Sequence, residues 1–268
     1  MNFIITRILG DELPPRDIPG RRLEALRWIL ANEPKFPDSQ RLWVLNVAAD
    51  PVLLEAYKNV LIEADEQYIQ YGRDWTTYDP KADRYERIRR AIDINGARNY
   101  CIRAGIDRAG FIFVLDGDCF FLQKDWDVVA QGILANQAGP APVQYFSMPT
   151  QRVAAGDPER ALEASVTEPM LCFRYDAEQR FDESRRFGDC PKQELLWRLG
   201  HDPGPSQSHR LIATHLCVQV GLVRHYANGD DASESSVERR MQLRDAALTQ
   251  LLARVEALRC PATPSLGQ

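Results

Sequence analysis

Two carboxylates separated by one glycine, Asp116-Gly117-Asp118, are the residues of this sequence best suited to chemistry. They directly follow the apolar run 111–115, which is typical of a buried strand. Alternate residues of an extended segment point to the same side, so both carboxylates can face one cation. Proteins hold Mg²⁺ and Mn²⁺ with one or two carboxylates together with phosphate oxygens. The spacing predicts a site for a divalent cation and a diphosphate; the alternative is a polar turn that closes a strand.

Strand and helix patterns alternate in the part of the chain that leads to this acidic pair. Hydrophobic periodicity predicts strands at residues 3–6, 42–45, 68–69 and 111–115, and helices at 21–32, from 51 onward, and at 84–108 with a break near 95–96. This order is typical of a parallel sheet with right-handed crossovers, in which ligands bind beyond the carboxyl ends of the strands. The acidic pair is therefore expected at the lip of a cleft in an α/β fold.

The second half of the chain has a less regular pattern. It predicts strands at 143–148 and 170–175, helices at 157–164 and 194–199, a strand or helix at 216–225, and a long helix at 235–258. No linker interrupts the sequence, so a single domain is expected over residues 1–260. The proline-containing segment 261–268 is predicted to be a disordered tail.

The amino-acid composition and net charge argue against some classes of protein. The 268 residues are 44% hydrophobic and 26% charged, which is ordinary for a soluble globular protein. The net charge of −5 argues against a broad nucleic-acid footprint, so no nucleic-acid partner is expected. Six cysteines without metal-binding spacing predict reduced thiols. Because no segment has the pattern of a signal peptide or a transmembrane helix, the sequence predicts a cytoplasmic location.

A longer pattern surrounds the acidic pair. Residues 95–99 (Asn-Gly-Ala-Arg-Asn), then Gly105, then 110–118 (Gly-Phe-Ile-Phe-Val-Leu-Asp-Gly-Asp) follow one another at set spacing. This pattern resembles the nucleotide-sugar half of glycosyltransferases with the GT-A fold, particularly glycosyltransferase family 2, in which an Ala-Arg-Asn helix precedes a strand ending in an Asp-x-Asp motif. The resemblance covers about residues 3 to 130.

The resemblance implies a GT-A-like, Rossmann-like architecture: a mixed, mostly parallel central sheet flanked by helices. It implies a nucleotide-sugar-binding half at 1–130, an acceptor-side half at 131–230 and a C-terminal helix at 235–258. The implied activity is metal-dependent transfer of a sugar from a nucleotide diphosphate sugar, with inversion, using Mn²⁺ or Mg²⁺. The acceptor stays open among a glycan, a lipid-linked glycan, a small molecule and a protein.

Five residues are candidates for holding the donor: Arg7, Asn46, Asp50, Arg98 and Asp116. Asn46 stands where the family usually has an acid. Asp50 matches a later family aspartate, but it also precedes Pro51 and is equally explained as a helix N-cap. Arg98 could reach a phosphate or lie on a helix surface, and Arg7 could contact the nucleotide or pair with a neighbouring acid.

The same resemblance suggests the remaining site residues. Asp116 and Asp118 are the candidate metal ligands, and His215 is favoured over His225 as the late histidine that GT-A enzymes often add to the metal site. The family's Glu-Asp pair is missing, so Asp189 or Glu194 would have to act as the catalytic base. Asp189 is also explained as a helix cap, and Glu194 as an acid that complements the helix dipole.

Two other functions fit parts of the pattern. The missing Glu-Asp pair favours a protein that binds nucleotide sugars but has lost catalysis. A sugar-1-phosphate nucleotidyltransferase would also use acids on a related sheet. No Gly-rich basic loop follows the first strand, which disfavours the second of these alternatives.

Overall fold

The computed structural model describes residues 2–14, 17–154, 157–162, 167–188, 192–200, 216–226 and 237–259. In chain order the elements are β1 (Phe3–Gly10), α1 (Arg21–Asn32), β2 (Ser39–Asn46), α2 (Pro51–Glu63), β3 (Tyr68–Gln70), α3 (Arg84–Ile92), α4 (Ile94–Ile106), β4 (Phe111–Asp116), β5 (Cys119–Phe120), α5 (Gln123–Ala138), β6 (Tyr145–Ala154), β7 (Asp157–Ala161), β8 (Thr167–Arg174), α6 (Gln193–Arg198), β9 (Cys217–Gln219), β10 (Val223–Tyr226) and α7 (Val237–Arg259).

The ten strands of the described chain form one mixed sheet with the order β3-β2-β1-β4-β8-β6-β10-β5, while β7 and β9 also pair with β6. Strands β1 to β4 are parallel to one another, and β8 lies antiparallel beside β4. The register places Gly10 opposite Asn46 and Ile8 opposite Asp116. The carboxyl ends of β1, β2 and β4 therefore meet at one edge. The predicted α/β fold with a mixed, mostly parallel sheet flanked by helices is confirmed.

The central strands are buried on both faces. In β4, Ile112, Phe113 and Leu115 have no measurable exposure, and in β2 Trp43, Val44 and Leu45 have none either. Burying one large apolar side chain contributes roughly 1.5–3 kcal/mol, so these strands anchor the sheet. The edge that carries Asp116 is thus built on fully buried strands.

Three sequence predictions are changed by the structure. The helix expected at 157–164 is wrong, because Asp157–Ala161 forms β7 and pairs antiparallel with β6. The backbone amides of Glu159 and Arg160 do donate to the Asp157 side chain, but sheet pairing prevails over this helix-like start. The helix expected at 84–108 is two helices, separated at Asp93 in the left-handed region with φ 43°. The strand or helix expected at 216–225 is found as strand, in two parts, β9 and β10. The predicted tail lies outside the described residues.

Helix α7 packs against α3 and against the loops that follow β1 and β2. Leu248 and Leu251 belong to the same buried cluster as Leu13, Ala48 and Ile88. Ion pairs reinforce this packing, including Arg87 with Glu256 and Arg84 with Asp245. Within the described residues, no helix is long and apolar enough to cross a membrane.

Candidate functional site

The acidic turn lies where β4 leaves the sheet. A Cβ atom added to Gly117 would lie 2.6 Å from the Ile8 carbonyl oxygen and 2.8 Å from Leu9 Cδ2. Only glycine lets the turn lie this close to the end of β1. Asp116 and Asp118 thereby stay at the edge formed by the carboxyl ends of the parallel strands, as the sequence predicts.

Asp116 receives two cationic side chains. Arg98 Nη2 lies 3.4 Å from Asp116 Oδ1, and Lys192 Nζ lies 3.2 Å from Oδ2. Arg98 comes from α4, whereas Lys192 precedes α6 in the second half of the chain. The Asp116 side chain is still 23% exposed, whereas Lys192 is 3% exposed. Arg98 and Asp116, two of the residues expected to hold the nucleotide sugar, therefore lie together. Lys192 also lies there, although its position in the sequence did not predict this.

Asp118 pairs with a histidine from the other half of the sheet. His225 Nε2 lies 3.1 Å from Asp118 Oδ2. Strand β10 brings it there by pairing antiparallel with β5, so that His225 lies opposite Cys119, and the Tyr226 amide donates to the Asp118 carbonyl at 2.8 Å. His215, the histidine that the sequence favours, lies outside the described residues. His225 is the late histidine that the described structure brings to the acidic pair.

An arginine next to His225 fixes this strand. The Arg224 guanidinium donates to both carboxylate oxygens of Asp125 in α5, at 2.5 and 3.2 Å. It also donates to the Pro158 carbonyl at 2.7 Å. A bidentate pair of this kind constrains direction as well as distance. The position of the histidine is therefore set by strand pairing and by this buried ion pair.

The donor atoms around the acidic turn suit a hard divalent cation. Asp118 offers a carboxylate oxygen and His225 an imidazole nitrogen, both acceptable ligands of Mn²⁺. No group of three or more His, Cys, Asp or Glu side chains within the described ranges is arranged as a ready-made metal cage. Cations such as Mg²⁺ are commonly held by one or two carboxylates plus substrate phosphates, so the residues present fit such a cation.

Arg7 is part of the core rather than the cleft. Its Nη2 atom lies 2.5 Å from Glu33 Oε1, both side chains are buried, and the guanidinium stacks on Trp43. Arg7 Nε donates to the Cys119 carbonyl at 2.7 Å, and the Phe121 amide donates to Glu33 Oε1 at 2.8 Å. The pair therefore holds β5, the segment directly after Asp118. The salt-bridge alternative accounts for Arg7, and we leave it out of the donor-binding residues.

Asn46 and Asp50 also have structural partners. Asn46 donates to the Ile92 carbonyl at 2.9 Å and accepts from Arg73, whose Nη2 also reaches the Asn46 carbonyl at 2.9 Å. Burial lowers the pKa of Arg73, and the negative charges of nearby acids oppose that shift. Asp50 accepts from the Leu53 amide at 2.9 Å as the N-cap of α2. Capping explains Asp50, whereas Asn46 lies at the carboxyl edge and holds Arg73 there.

The asparagines around Arg98 anchor the second half of the chain. Asn99 exchanges two hydrogen bonds of 2.9 Å with the Phe181 backbone, and Asn95 donates to the Asp182 carbonyl at 2.7 Å. Arg98 donates to Asn95 Oδ1 at 3.0 Å and lies over the Phe181 ring. This face of α4 therefore fixes the segment that leads towards Lys192. Sequence reasoning identified the motif but missed this role.

Of the two candidate catalytic bases, the structure describes only Glu194. Asp189 lies outside the described residues. Glu194 is held by Arg198, whose Nε and Nη2 atoms lie 2.6 and 3.0 Å from its two carboxylate oxygens. This pair links successive turns of α6 and occupies both carboxylate oxygens of Glu194.

Comparisons with known proteins are limited to structure. No family model matches the chain, and no curated protein matches it by sequence. It is similar to Staphylococcus aureus TarS at 13% identity and TM-score 0.46, over 100% of this chain and 45% of that one. The chain thus spans less than half of the TarS structure.

Two other similar structures carry descriptive names. One is provisionally assigned as a nucleotide-diphospho-sugar transferase from Desulfovibrio desulfuricans G20, at 14% identity and TM-score 0.37, over 94% of this chain and 99% of that one. The other is the mannosyltransferase PcManGT from Pyrobaculum calidifontis in complex with GDP-Man and Mn²⁺, at 12% identity and TM-score 0.46, over 100% and 76%. The two names describe proteins that resemble this chain in structure at low sequence identity.

Proposed function

We propose that this chain is a glycosyltransferase that uses a nucleotide diphosphate sugar and a divalent cation, Mn²⁺ or Mg²⁺. One observation carries the proposal: Asp116-Gly117-Asp118 lies at the carboxyl edge of the parallel strands with His225 on Asp118 and Arg98 and Lys192 on Asp116. Carboxylates, an imidazole and two cations at such an edge suit a diphosphate better than a neutral ligand.

The proposed roles follow from the contacts. Asp116, Asp118 and His225 would hold the cation, which, when bound, supplies a positive charge against the leaving diphosphate. Arg98 is fixed by Asn95 and Phe181, so it can orient Asp116 and reach a phosphate oxygen without reorganising. Asn46 and Arg73 lie at the end of β2, where the nucleoside is proposed to bind.

The reaction is proposed to invert the anomeric centre, which requires a carboxylate to accept the proton of the acceptor hydroxyl. We assign this role to Asp189, because Arg198 occupies Glu194. The acceptor is left as a glycan, a lipid-linked glycan, a small molecule or a protein. Free thiols at Cys101, Cys119 and Cys172 support the further proposal of a reducing, cytoplasmic location.

The test is release of nucleotide diphosphate from UDP-, GDP-, CDP-, TDP- and ADP-sugars, with Mn²⁺ or with EDTA. We expect one donor to be turned over only with the metal, and Asp118→Asn to lower that rate at least a hundredfold, the scale of losing a main electrostatic group. The matched control is Asp127→Asn, because Asp127 is an exposed acid on α5 that contacts Gln123.

Other outcomes separate the alternatives. Metal-dependent binding of a nucleotide diphosphate without turnover of any donor would favour a protein that has lost catalysis. Formation of pyrophosphate from a nucleoside triphosphate and a sugar 1-phosphate would favour a nucleotidyltransferase. Turnover by Asp118→Asn at the wild-type rate would contradict the site assignment.

A further inference from the structure

Lys192 is an unusual residue in this site because it is a buried lysine. Its side chain is 3% exposed, with Nζ 3.2 Å from Asp116 Oδ2 and 3.3 Å from Met170 Sδ. Lysine is almost never fully buried unless it is paired, and a thioether is only a weak acceptor. Asp116 therefore supplies a charged partner for this buried ammonium group.

Asp116 already receives a second cation. Arg98 lies 3.4 Å from its other oxygen, so two positive groups converge on one carboxylate. These two cations balance the charges of Asp116 and Asp118. Because the Asp116 side chain is 23% exposed, both cations lie beside a position that a second anion can reach.

The two cations differ in their freedom to move. Arg98 is fixed by its hydrogen bond to Asn95 and by the Phe181 ring beneath it. Lysine carries a compact charge on a flexible four-carbon stem, and Nζ can move to a new acceptor by rotating side-chain bonds alone. Lys192 is thus the cation at this edge that can change partner.

We propose that Lys192 is a second diphosphate-binding residue, held on Asp116 in the nucleotide-free protein and transferred to a diphosphate oxygen when the donor binds. The inference rests on the proposed function and assigns a donor contact to the acceptor-side half of the chain. In the free protein Lys192 competes with the cation for Asp116, and in the complex it shares the charge of the diphosphate. No bond is made or broken in this exchange; one ion pair replaces another.

The exchange predicts effects of opposite sign for Lys192→Met, which keeps the apolar stem beside Met170. Affinity for Mn²⁺ alone should rise several-fold, because Asp116 loses a competing cation. Affinity for the nucleotide diphosphate at saturating Mn²⁺ should fall at least tenfold, because a hydrogen bond between charged groups is lost. If Lys192 had a purely structural role, Lys192→Met would lower the affinity for both Mn²⁺ and the nucleotide diphosphate, or for neither.

The experiment is titration calorimetry of wild type, Lys192→Met and Lys192→Arg with Mn²⁺ alone, and then with UDP and GDP at saturating Mn²⁺. Lys58→Met is the matched control, because Lys58 pairs with Glu55 on the surface of α2. Lys192→Arg keeps the charge and should bind nucleotide within a few-fold of wild type, so the inference remains testable if Lys192→Met does not fold.

The outcomes distinguish the inference from the proposed function. Tighter Mn²⁺ binding with weaker nucleotide binding in Lys192→Met supports the exchange. If wild type binds a nucleotide and Lys192→Met binds it equally well, or loses nucleotide and Mn²⁺ together, the exchange is wrong while the proposed function stands. If wild type binds neither UDP nor GDP with Mn²⁺, the titration is repeated with CDP, TDP and ADP, and binding of none of the five overturns the proposed function and the inference with it.

Discussion

Two groups of ion pairs lie on the same sheet and have different designs. The core network consists of Arg7, Glu33, Arg41 and Glu66, whose side chains are all at most 9% exposed. The edge cluster consists of Arg98, Asp116 and Lys192, and its carboxylate is 23% exposed. In the core network cations and carboxylates alternate, whereas in the edge cluster two cations share one carboxylate.

The difference teaches how to separate charges that hold the fold from charges that await a ligand. Burying a charge costs free energy unless the charge is paired, and each side chain of the core network forms an ion pair with another member. The edge cluster lies at the carboxyl end of β4, where a new anion can replace Asp116 as a partner. Under the proposed function, an ion pair with a solvent-exposed side can bind a ligand, whereas a fully buried ion pair cannot.

The largest expected effect is on the core network. Glu33→Gln keeps the shape but leaves Arg7 buried without its counter-charge, so we expect the free energy of unfolding to fall by about 3–5 kcal/mol. Urea unfolding measures this change. In the exposed control Glu55→Gln, loss of the pair with Lys58 should change stability by less than about 0.5 kcal/mol. A loss below about 1 kcal/mol in Glu33→Gln would remove the contrast between the two groups.

Asp116→Asn probes the same chemistry at the open edge. The amide still offers an oxygen to Arg98, and water can reach this side chain, so the loss of stability should be about 1–2 kcal/mol, smaller than for Glu33→Gln. Binding of a nucleotide diphosphate with Mn²⁺ should nevertheless weaken at least tenfold, measured by calorimetry. If Asp116→Asn destabilises the protein as much as Glu33→Gln and binds nucleotide normally, the edge cluster is structural.

The third prediction concerns Asp50, which the sequence suggests as a nucleotide-sugar-binding residue and the structure shows as a helix N-cap. Asp50→Ala removes the acceptor for the Leu53 amide, so we expect a loss of about 1 kcal/mol in urea unfolding. Nucleotide affinity should stay within about twofold of wild type. A larger loss of affinity without a loss of stability would restore Asp50 to the donor site.

The smallest expected effect comes from a surface pair. Hydrogen bonding from Arg89, together with Arg90, lowers the pKa of Glu86 to about 2 from its ordinary value of 4.5, against the opposing effect of partial burial. The pair therefore contributes fully above pH 4.5, and its contribution is lost as the pH falls through about 2. Because the Glu86 side chain is 37% exposed and solvent screens its charge, this contribution should be only a few tenths of a kcal/mol.

Comparing urea unfolding of wild type and Glu86→Gln at several pH values measures this contribution. The small difference at pH 6 should shrink on acidification between pH 4.5 and pH 2. A difference that grows on acidification would have the wrong sign for a lowered pKa.

The sequence predicts the first half of the fold well because its signals are local. Buried runs such as 111–115 and caps such as Asp50 depend on neighbouring residues, so β4 and the start of α2 follow from them. The acidic turn is predicted for the same reason. Strand β7 is missed because Asp157-Pro158 has the local pattern of a helix start, and only pairing with β6 decides otherwise.

The site partners are not predictable in this way, because they come from distant parts of the chain. Lys192 is 76 residues from Asp116, and nothing in its neighbourhood marks it as buried. His225 reaches Asp118 through the antiparallel pairing of β10 with β5, and that register is a property of the whole sheet. The roles of Asn95 and Asn99 likewise depend on a loop more than 80 residues away.

The most direct test of the central claim is a thermal-shift panel of UDP, GDP, CDP, TDP and ADP, each with and without Mn²⁺, on wild type and Asp118→Asn. A ligand at 100 times its Kd that binds only the native state stabilises it by about 2.7 kcal/mol, which raises the Tm by several degrees. We predict such a shift for wild type with one nucleotide, only when Mn²⁺ is present, and its loss in Asp118→Asn. No shift with any nucleotide, or an equal shift in the variant, would contradict a diphosphate site at Asp116-Gly117-Asp118.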